Sequence, residues 1–289
     1  MPLPIHISLV PKDVHVDASE LTRVAAALNQ QVQRDFGPIW GIRASVTAFT
    51  RVQDVPVESW PIFLMSQVQD AAGVHEDQHG QPFALVQMDQ DWSLTASHEA
   101  LEMLADPFGR RLRAGPTLPQ AVKLGAPQHR VRYLVEVCDP SEAAEFAYHA
   151  NGVVVSDFYT PHFFDPAPSS GTKYSFTGAI PAPLTVLPGG YISWHDLVDN
   201  HWKQFRYFPD DQSKKAHLID LSTNQVFERF RGTTSLRAAV DRVTRTPKAN
   251  AAVKGALARS LKVRIDTGTK AQKARADFFE ATIGKMIGK

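Results

Sequence analysis

The stretch SLTASHEALEMLADPFGRR, residues 93–111, decides the fold because it predicts one short helix that is apolar around most of its circumference. At about 100° per residue, His98, Glu99, Glu102 and Asp106 fall in one narrow sector of that helix. Alanine, leucine and methionine fill most other positions, and this apolar arc is wider than the roughly 100° stripe of a typical surface helix. We therefore expect a mostly buried helix, ended by Pro107, whose polar sector opens into a cleft.

The charges in this sector indicate a bound cation. Glu102 and Asp106 repeat the same charge one turn apart, which costs a few tenths of a kcal/mol. His98 and Glu102 have the i,i+4 spacing with which the His-Glu-x-x-His helix holds zinc, and a carboxylate can replace an imidazole as a ligand. In that motif the glutamate after the first histidine activates the attacking water, a role that falls here to Glu99. The alternative is an ordinary helix with an incidental histidine and acids.

Two motifs carry a resemblance to a known group. SHEALEMLADP, residues 97–107, resembles the Ser-His-Glu-x-x-Glu-x-x-x-Asp-Pro signature of zincin-like proteins from bacteria and plants, in which glutamate replaces the second histidine. YLVEVCDP, residues 133–140, resembles the Glu-x-x-Asp motif that accompanies it. The resemblance implies an α+β fold with a zincin-like mixed sheet, a long N-terminal helix and an active-site helix. Glu102 leaves open whether such a chain cleaves peptides.

A zinc site of this kind needs a third protein ligand and keeps a fourth position open. Asp106 lies eight residues from His98, about 12 Å along a straight helix, so we expect it to hydrogen-bond the turn after the helix instead. Glu136 is our first choice for the third ligand and Asp139 is the alternative, because both lie on a separate element that can approach across the cleft. A strand-end salt bridge or an Asp-Pro turn would explain the same pair without a metal. One zinc ion is expected.

Apolar periodicity and turn residues predict the other elements. A helix over 17–36 with an acidic or serine N-cap follows the first strand, and a loop over 73–80 precedes an expected edge strand over 83–88. Residues 193–202 read as a packed amphipathic helix, although His195 or His201 on it could donate a hydrogen bond to an oxyanion. The predicted loop offers His75, Glu76, Asp77 and His79, which could line a substrate cleft or hold a second cation; a loop that is simply polar is the alternative. Further strands are predicted at residues 5–10, 43–52, 60–68 and 131–139.

The charge distribution divides the chain. The 289 residues carry a formal net charge of +1, which gives no overall bias toward nucleic acid or anionic membranes. From Arg231 onward, however, there are fourteen Lys or Arg against four Asp or Glu. We predict a zincin-like metal-binding core over 1–165, a Pro/Gly-rich continuation of this core over 166–230, and a basic, mostly helical tail over 231–289. The tail either packs on the acidic body or contacts a polyanionic partner, and a chain truncated near Arg231 is expected to fold.

Two functional hypotheses follow. The first is a zinc-dependent hydrolase, a peptidase or amidase, in which His98, Glu102 and Glu136 or Asp139 hold the metal while Glu99 is the catalytic base. The second is a non-catalytic zincin-like metal-binding module whose basic tail contacts a polyanion. The single cysteine, the absence of a basic apolar leader and the absence of a long apolar segment predict a cytoplasmic protein without a membrane anchor.

Overall fold

The chain forms an α+β fold in which a mixed sheet carries two long helices. The computed structural model describes residues 4–68, 72–78, 80–208, 215–232 and 235–244. The expectation for the tail therefore lies mostly outside the described residues. Among the described residues, no helix combines the length and apolar character that a bilayer span requires.

The first sheet has five strands, in the order β2-β1-β3-β5-β4. Its first four strands in this order run parallel, and β4 pairs antiparallel with β5 at the edge. The strands are β1 (Ile5–Pro11), β2 (Ala44–Ala48), β3 (Trp60–Met65), β4 (Gly73–Gln78) and β5 (Gln81–Gln87).

The second half of the chain is antiparallel. Its strands are β6 (Leu112–Pro116), β7 (Arg130–Leu134), β8 (Tyr148–Ala150), β9 (Val153–Val155), β10 (Tyr191–Asp196), β11 (Trp202–Arg206) and β12 (His217–Asp220). A five-stranded sheet has the order β12-β11-β10-β7-β6, while β8 and β9 pair with each other.

Six α-helices are described: α1 (Ala18–Gln30), α2 (Gly37–Trp40), α3 (Trp92–Ala105), α4 (Pro119–Val122), α5 (Gln225–Phe230) and α6 (Leu236–Thr244). The Asp17 side chain caps α1 as predicted, since it accepts hydrogen bonds from the backbone N–H groups of Ser19 and Glu20. A π-helical segment, Gln31–Phe36, continues α1 into α2. Short 3₁₀ turns include Val52–Asp54, Asp139–Ser141, Ala144–Phe146, Pro161–Phe164 and Leu221–Thr223.

One hydrophobic cluster joins both sheets and spans the chain from Ile7 to Phe205. α3 contributes Ala100, Leu101 and Met103 to it, each at 0% exposure, and packs against β4, β5 and β9. The prediction of a mostly buried helix is confirmed. Because its apolar arc is held on several sides, the polar sector has a fixed direction.

Two predicted elements are wrong. Residues 73–80 were expected to form a loop, but Gly73–Gln78 is edge strand β4, so β5 is an interior strand. Residues 193–202 were expected to form a helix, but they fall on the hairpin of β10 and β11. Both places mix polar and apolar side chains within a few residues, and short mixed segments of this kind also match a loop or a helical period.

Candidate metal centre

A buried polar network fixes the rotation of α3. The Ser97 hydroxyl donates to Gln31 Oε1 at 2.8 Å and accepts from the Ser156 N–H at 2.8 Å. Gln31 Nε2 in turn donates to the Ser156 carbonyl at 2.9 Å. All three side chains are buried, so breaking one bond would leave a buried group unpaired. The network therefore directs the opposite, acidic sector of α3 toward the segment that follows β7.

His98 lies between two carboxylates from different parts of the chain. Its Nε2 atom is 3.1 Å from Glu102 Oε2, on the same helix, and 3.3 Å from Asp139 Oδ1, in the 3₁₀ turn after β7. The Cys138 N–H donates to Glu102 Oε1 at 3.1 Å and so ties that turn to α3. Zinc–ligand distances of about 2.0–2.2 Å in tetrahedral geometry place two ligand atoms ~3.3 Å apart. The separation of His98 Nε2 from each of the two carboxylate oxygens is therefore that of two ligands on one zinc ion.

Unpartnered oxygen atoms support the same fit. Asp139 Oδ2, Glu136 Oε1 and the Tyr159 hydroxyl are buried and have no hydrogen-bond partner among the described residues. Burial and the charge of Glu102 raise the pKa of Asp139 well above its usual range. Burial alone would lower the pKa of His98, but the charge of Glu102 and the hydrogen bonds that Asp139 and Glu102 accept from the imidazole raise it well above its usual value. The imidazole of His98 and the carboxylates of Glu102 and Asp139 are donors that a divalent cation accepts once the protons on His98 and Asp139 are released.

The structure separates the two candidates for the third ligand. Asp139 faces His98, whereas Glu136 Oε2 contacts Nη1 of Arg237. Glu102, Glu136 and Asp139 nevertheless converge, with one oxygen atom of each within 4.8 Å of the others. Asp139 is therefore better placed than Glu136 to share an ion with His98, and Glu136 borders the site.

Glu99 occupies its own buried pocket beside this centre. Its Oε2 atom lies 3.4 Å from His75 Nδ1, on β4. His75 Nε2 is 3.1 Å from the Asp106 carbonyl, which can only accept, so this nitrogen carries a proton. A Cβ atom on Gly73 would lie 2.6 Å from Glu99 Oε1, so a larger residue here would displace this carboxylate. The edge strand β4, read from the sequence as a loop, holds the predicted catalytic base.

Arg237 on α6 is the site residue that sequence reasoning missed. Its side chain is fully buried, at 1% exposure. Nη1 contacts Glu102 Oε2 and Glu136 Oε2, while Nη2 lies 3.5 Å from Glu99 Oε2. Burial alone would raise the pKa of Glu102, but the positive charge of Arg237 lowers it. In the sequence, Arg237 is separated from Glu102 by 135 positions and from Glu99 by 138 positions. The one local sign that Arg237 has an acidic partner was its i,i+4 pair with Asp241.

The other polar residues considered for the site contact different partners. Asp106 Oδ2 accepts from the Arg111 N–H at 2.6 Å, which confirms its predicted role in the turn after α3. His195 pairs with Asn200 at 2.9 Å, and His201 pairs with Asp220 at 2.7 Å, on the β10–β11 hairpin and its neighbour. Tyr159 was not singled out from the sequence, yet burial and the charges of Glu102 and Asp139 raise its pKa well above the usual value.

Comparison with protein-family models, with curated proteins and with solved structures gives no match. The site is therefore interpreted from its own geometry.

Proposed function

We propose that this chain is a zinc-dependent hydrolase whose metal ligands are His98, Glu102 and Asp139. The observation that carries the proposal is the position of His98 Nε2, at 3.1 Å and 3.3 Å from two carboxylate oxygens. The Nε2–H bond of a protonated imidazole points along one line and so cannot serve both oxygens well, which supports a metal ion as the shared partner. Three protein ligands also leave one coordination position for chemistry.

The residues around the ligands support hydrolysis of an amide or peptide bond. When bound, a zinc ion polarises a carbonyl group and lowers the pKa of water. Glu99 accepts the proton of the attacking water and returns it to the leaving amine. Gly73 leaves room for the Glu99 carboxylate and His75 lies against that carboxylate, so the side chain of Glu99 is held in one orientation. The Cys138 N–H holds Glu102 Oε1 and leaves Oε2 facing His98.

The metal is tested first. We expect about one zinc ion per chain in the purified wild type and its loss in His98→Ala and Glu102→Ala. His162→Ala is the matched control, because that side chain is 61% exposed and pairs with Asp165. Elemental analysis after dialysis gives the readout, with circular dichroism as a check of folding. Equal zinc in all four proteins would exclude α3 as the metal helix.

The reaction is tested with Glu99→Gln. This variant keeps the shape of the side chain and removes no ligand, so it should retain zinc while hydrolysis of a peptide and amide library falls by roughly 10²–10⁴-fold. If the zinc-loaded wild type hydrolyses the library and Glu99→Gln does so at the same rate, Glu99 is not the base.

The burial of the centre favours a second candidate, a non-catalytic metal-binding module. Glu99 and Glu102 are exposed by 1% and 0%, and a buried cation adjoins both. A closed site of this kind is typical of structural zinc. In that case chelation should lower the free energy of unfolding, and no variant should show turnover.

A further inference from the structure

α6 covers the candidate centre. Its first turn is seated on the turn after α3, where the Arg237 N–H donates to the Gly109 carbonyl at 3.0 Å. At its other end, Gln204 Nε2 donates to Thr244 Oγ1 at 2.8 Å and Arg206 donates to the Val243 carbonyl at 2.7 Å. The helix also contacts β4, the strand that carries His75. α6 thus lies against the strand and the turn that border the site.

The guanidinium of Arg237 occupies the position where chemistry is proposed. It contacts the proposed base Glu99, the proposed ligand Glu102 and the bordering carboxylate of Glu136. With α6 in place, no substrate reaches Glu99, whose side chain is 1% exposed. A hydrolase with this site needs an opening step.

The contacts of α6 keep the free-energy cost of such an opening step low. Its apolar side chains Ala239 and Val240 belong to a small cluster with Trp202 and Phe227, separate from the main core. A nine-residue helix has little stability of its own, so its position depends on this cluster and on Arg237. The buried ion pairs add little net stability, because their attraction is offset by the desolvation of guanidinium and carboxylates.

We propose that α6 is an autoinhibitory cover and that Arg237 is a tethered cation that blocks the metal centre until α6 leaves. The proposal rests on the proposed hydrolase site. It assigns a regulatory role to α6 and makes access of substrate, rather than chemistry, the step that α6 controls. Undocking of α6 exposes Glu99 and His75 together and frees Glu102 Oε2 from the guanidinium.

The opening is tested by Val240→Asp in the full chain. This change places a charge in the small cluster and leaves Arg237 and every site residue intact. Val226→Asp on α5 is the matched control, because Val226 is 45% exposed. Acylation of His75 by diethyl pyrocarbonate, read by mass spectrometry on metal-free protein, reports access, and exposed His162 is the internal standard. We expect at least 10-fold faster labelling of His75 in Val240→Asp than in wild type and Val226→Asp. Equal labelling in all three overturns the proposal.

A measurement on the wild type decides the case if Val240→Asp does not fold. Native-state hydrogen exchange should show amides of α6 opening at least 10-fold more often than amides of α3. If the two helices exchange in one cooperative event, α6 cannot leave a folded site, and the proposal is wrong.

Activity separates this proposal from the proposed function. We expect zinc-loaded Val240→Asp to hydrolyse the peptide library at least 10-fold faster than wild type. Faster labelling of His75 without turnover in any protein would retain the cover and reject the hydrolase. Equal turnover with equal protection of His75 would retain the hydrolase and reject the cover.

Discussion

At the scale of single residues, the choice between Asp139 and Glu136 depends on what each carboxylate faces. Asp139 Oδ1 is directed at His98, whereas Glu136 Oε2 is directed at Arg237. We predict that Asp139→Asn weakens zinc binding by at least about 100-fold, while Glu136→Gln, which keeps the side-chain volume, weakens it by no more than about 10-fold. Competition with a chromophoric chelator measures both affinities. The opposite order would make Glu136 the third ligand.

Gly73 gives a second test at this scale. An alanine Cβ would lie 2.6 Å from both Glu99 Oε1 and Thr95 Cγ2, so Gly73→Ala must displace the base. We predict a loss of about 1–3 kcal/mol in the free energy of unfolding from overpacking, with hydrolysis reduced and zinc retained. Gly232→Ala is the control, because its added Cβ meets no atom within 4 Å among the described residues other than its chain neighbours. Urea denaturation gives the stabilities; if the two variants are equally stable, β4 does not confine Glu99.

The sequence predicted the residues of this site that lie on one helix. His98, Glu99 and Glu102 follow from the 3.6-residue period, and Asp106 follows from the length of α3. The residues on other elements that contact them were predicted less well. Facing side chains on different elements leave no periodic signal, so Glu136 was preferred to Asp139 and Arg237 was missed.

At the scale of elements, strands that combine polar and apolar residues were the hardest to predict from the sequence. β5 alternates between buried and half-buried residues, and its strand character was predicted correctly. β4 carries glycine, charged and amide side chains in a stretch bounded by glycines, which is typical of a loop. Its pairing with β5 stabilises it as the edge strand, and that is a tertiary effect. The hairpin of β10 and β11 was mistaken for a helix because its tryptophans and histidines also fit a helical spacing.

This hairpin contains an ion network with a defined pH dependence. Burial raises the pKa of Asp196, but hydrogen bonds from Lys203, the Val198 N–H and His129 lower it to about 2. Since the folded pKa lies below the unfolded value of 3.8, the resulting stability is present above about pH 4 and is lost as the pH falls through 2. We predict that Asp196→Asn costs about 1–2 kcal/mol at pH 7. In urea denaturation, the difference from wild type should shrink between pH 4 and pH 2, and a constant difference would contradict this assignment.

At the scale of the whole molecule, distant segments assemble the candidate centre. β4 borders Glu99, the proposed base; α3 carries Glu99 and the proposed ligands His98 and Glu102; and the turn after β7 carries the proposed ligand Asp139. α6 then adds a cation from residue 237, beyond both sheets in the chain. Of the range 231–289 that the composition sets apart, the part described as α6 packs on the body. The composition correctly marks a basic region, but it cannot indicate which of its positive charges is buried.

Truncation tests how much of this basic region belongs to the folded body. Residues 1–244 retain every described contact of the centre, whereas residues 1–232 lack α6 and leave Glu99, Glu102 and Glu136 without Arg237. We predict that 1–244 matches the full chain in zinc affinity and in the free energy of unfolding. Without metal, 1–232 should be less stable than 1–244, because Ala239 and Val240 no longer pack in the small cluster with Trp202 and Phe227.

Zinc should reduce this difference. The ion binds the folded state and neutralises Glu102, and its stabilisation grows with the ratio of its concentration to the dissociation constant. We therefore expect zinc to raise the melting temperature of 1–232 more than that of 1–244, since Arg237 no longer competes for Glu102 Oε2. Thermal melts at matched zinc concentrations measure this. Equal shifts would mean that guanidinium and metal do not compete, and insoluble 1–232 in the presence of zinc would make α6 an integral part of the core rather than its cover.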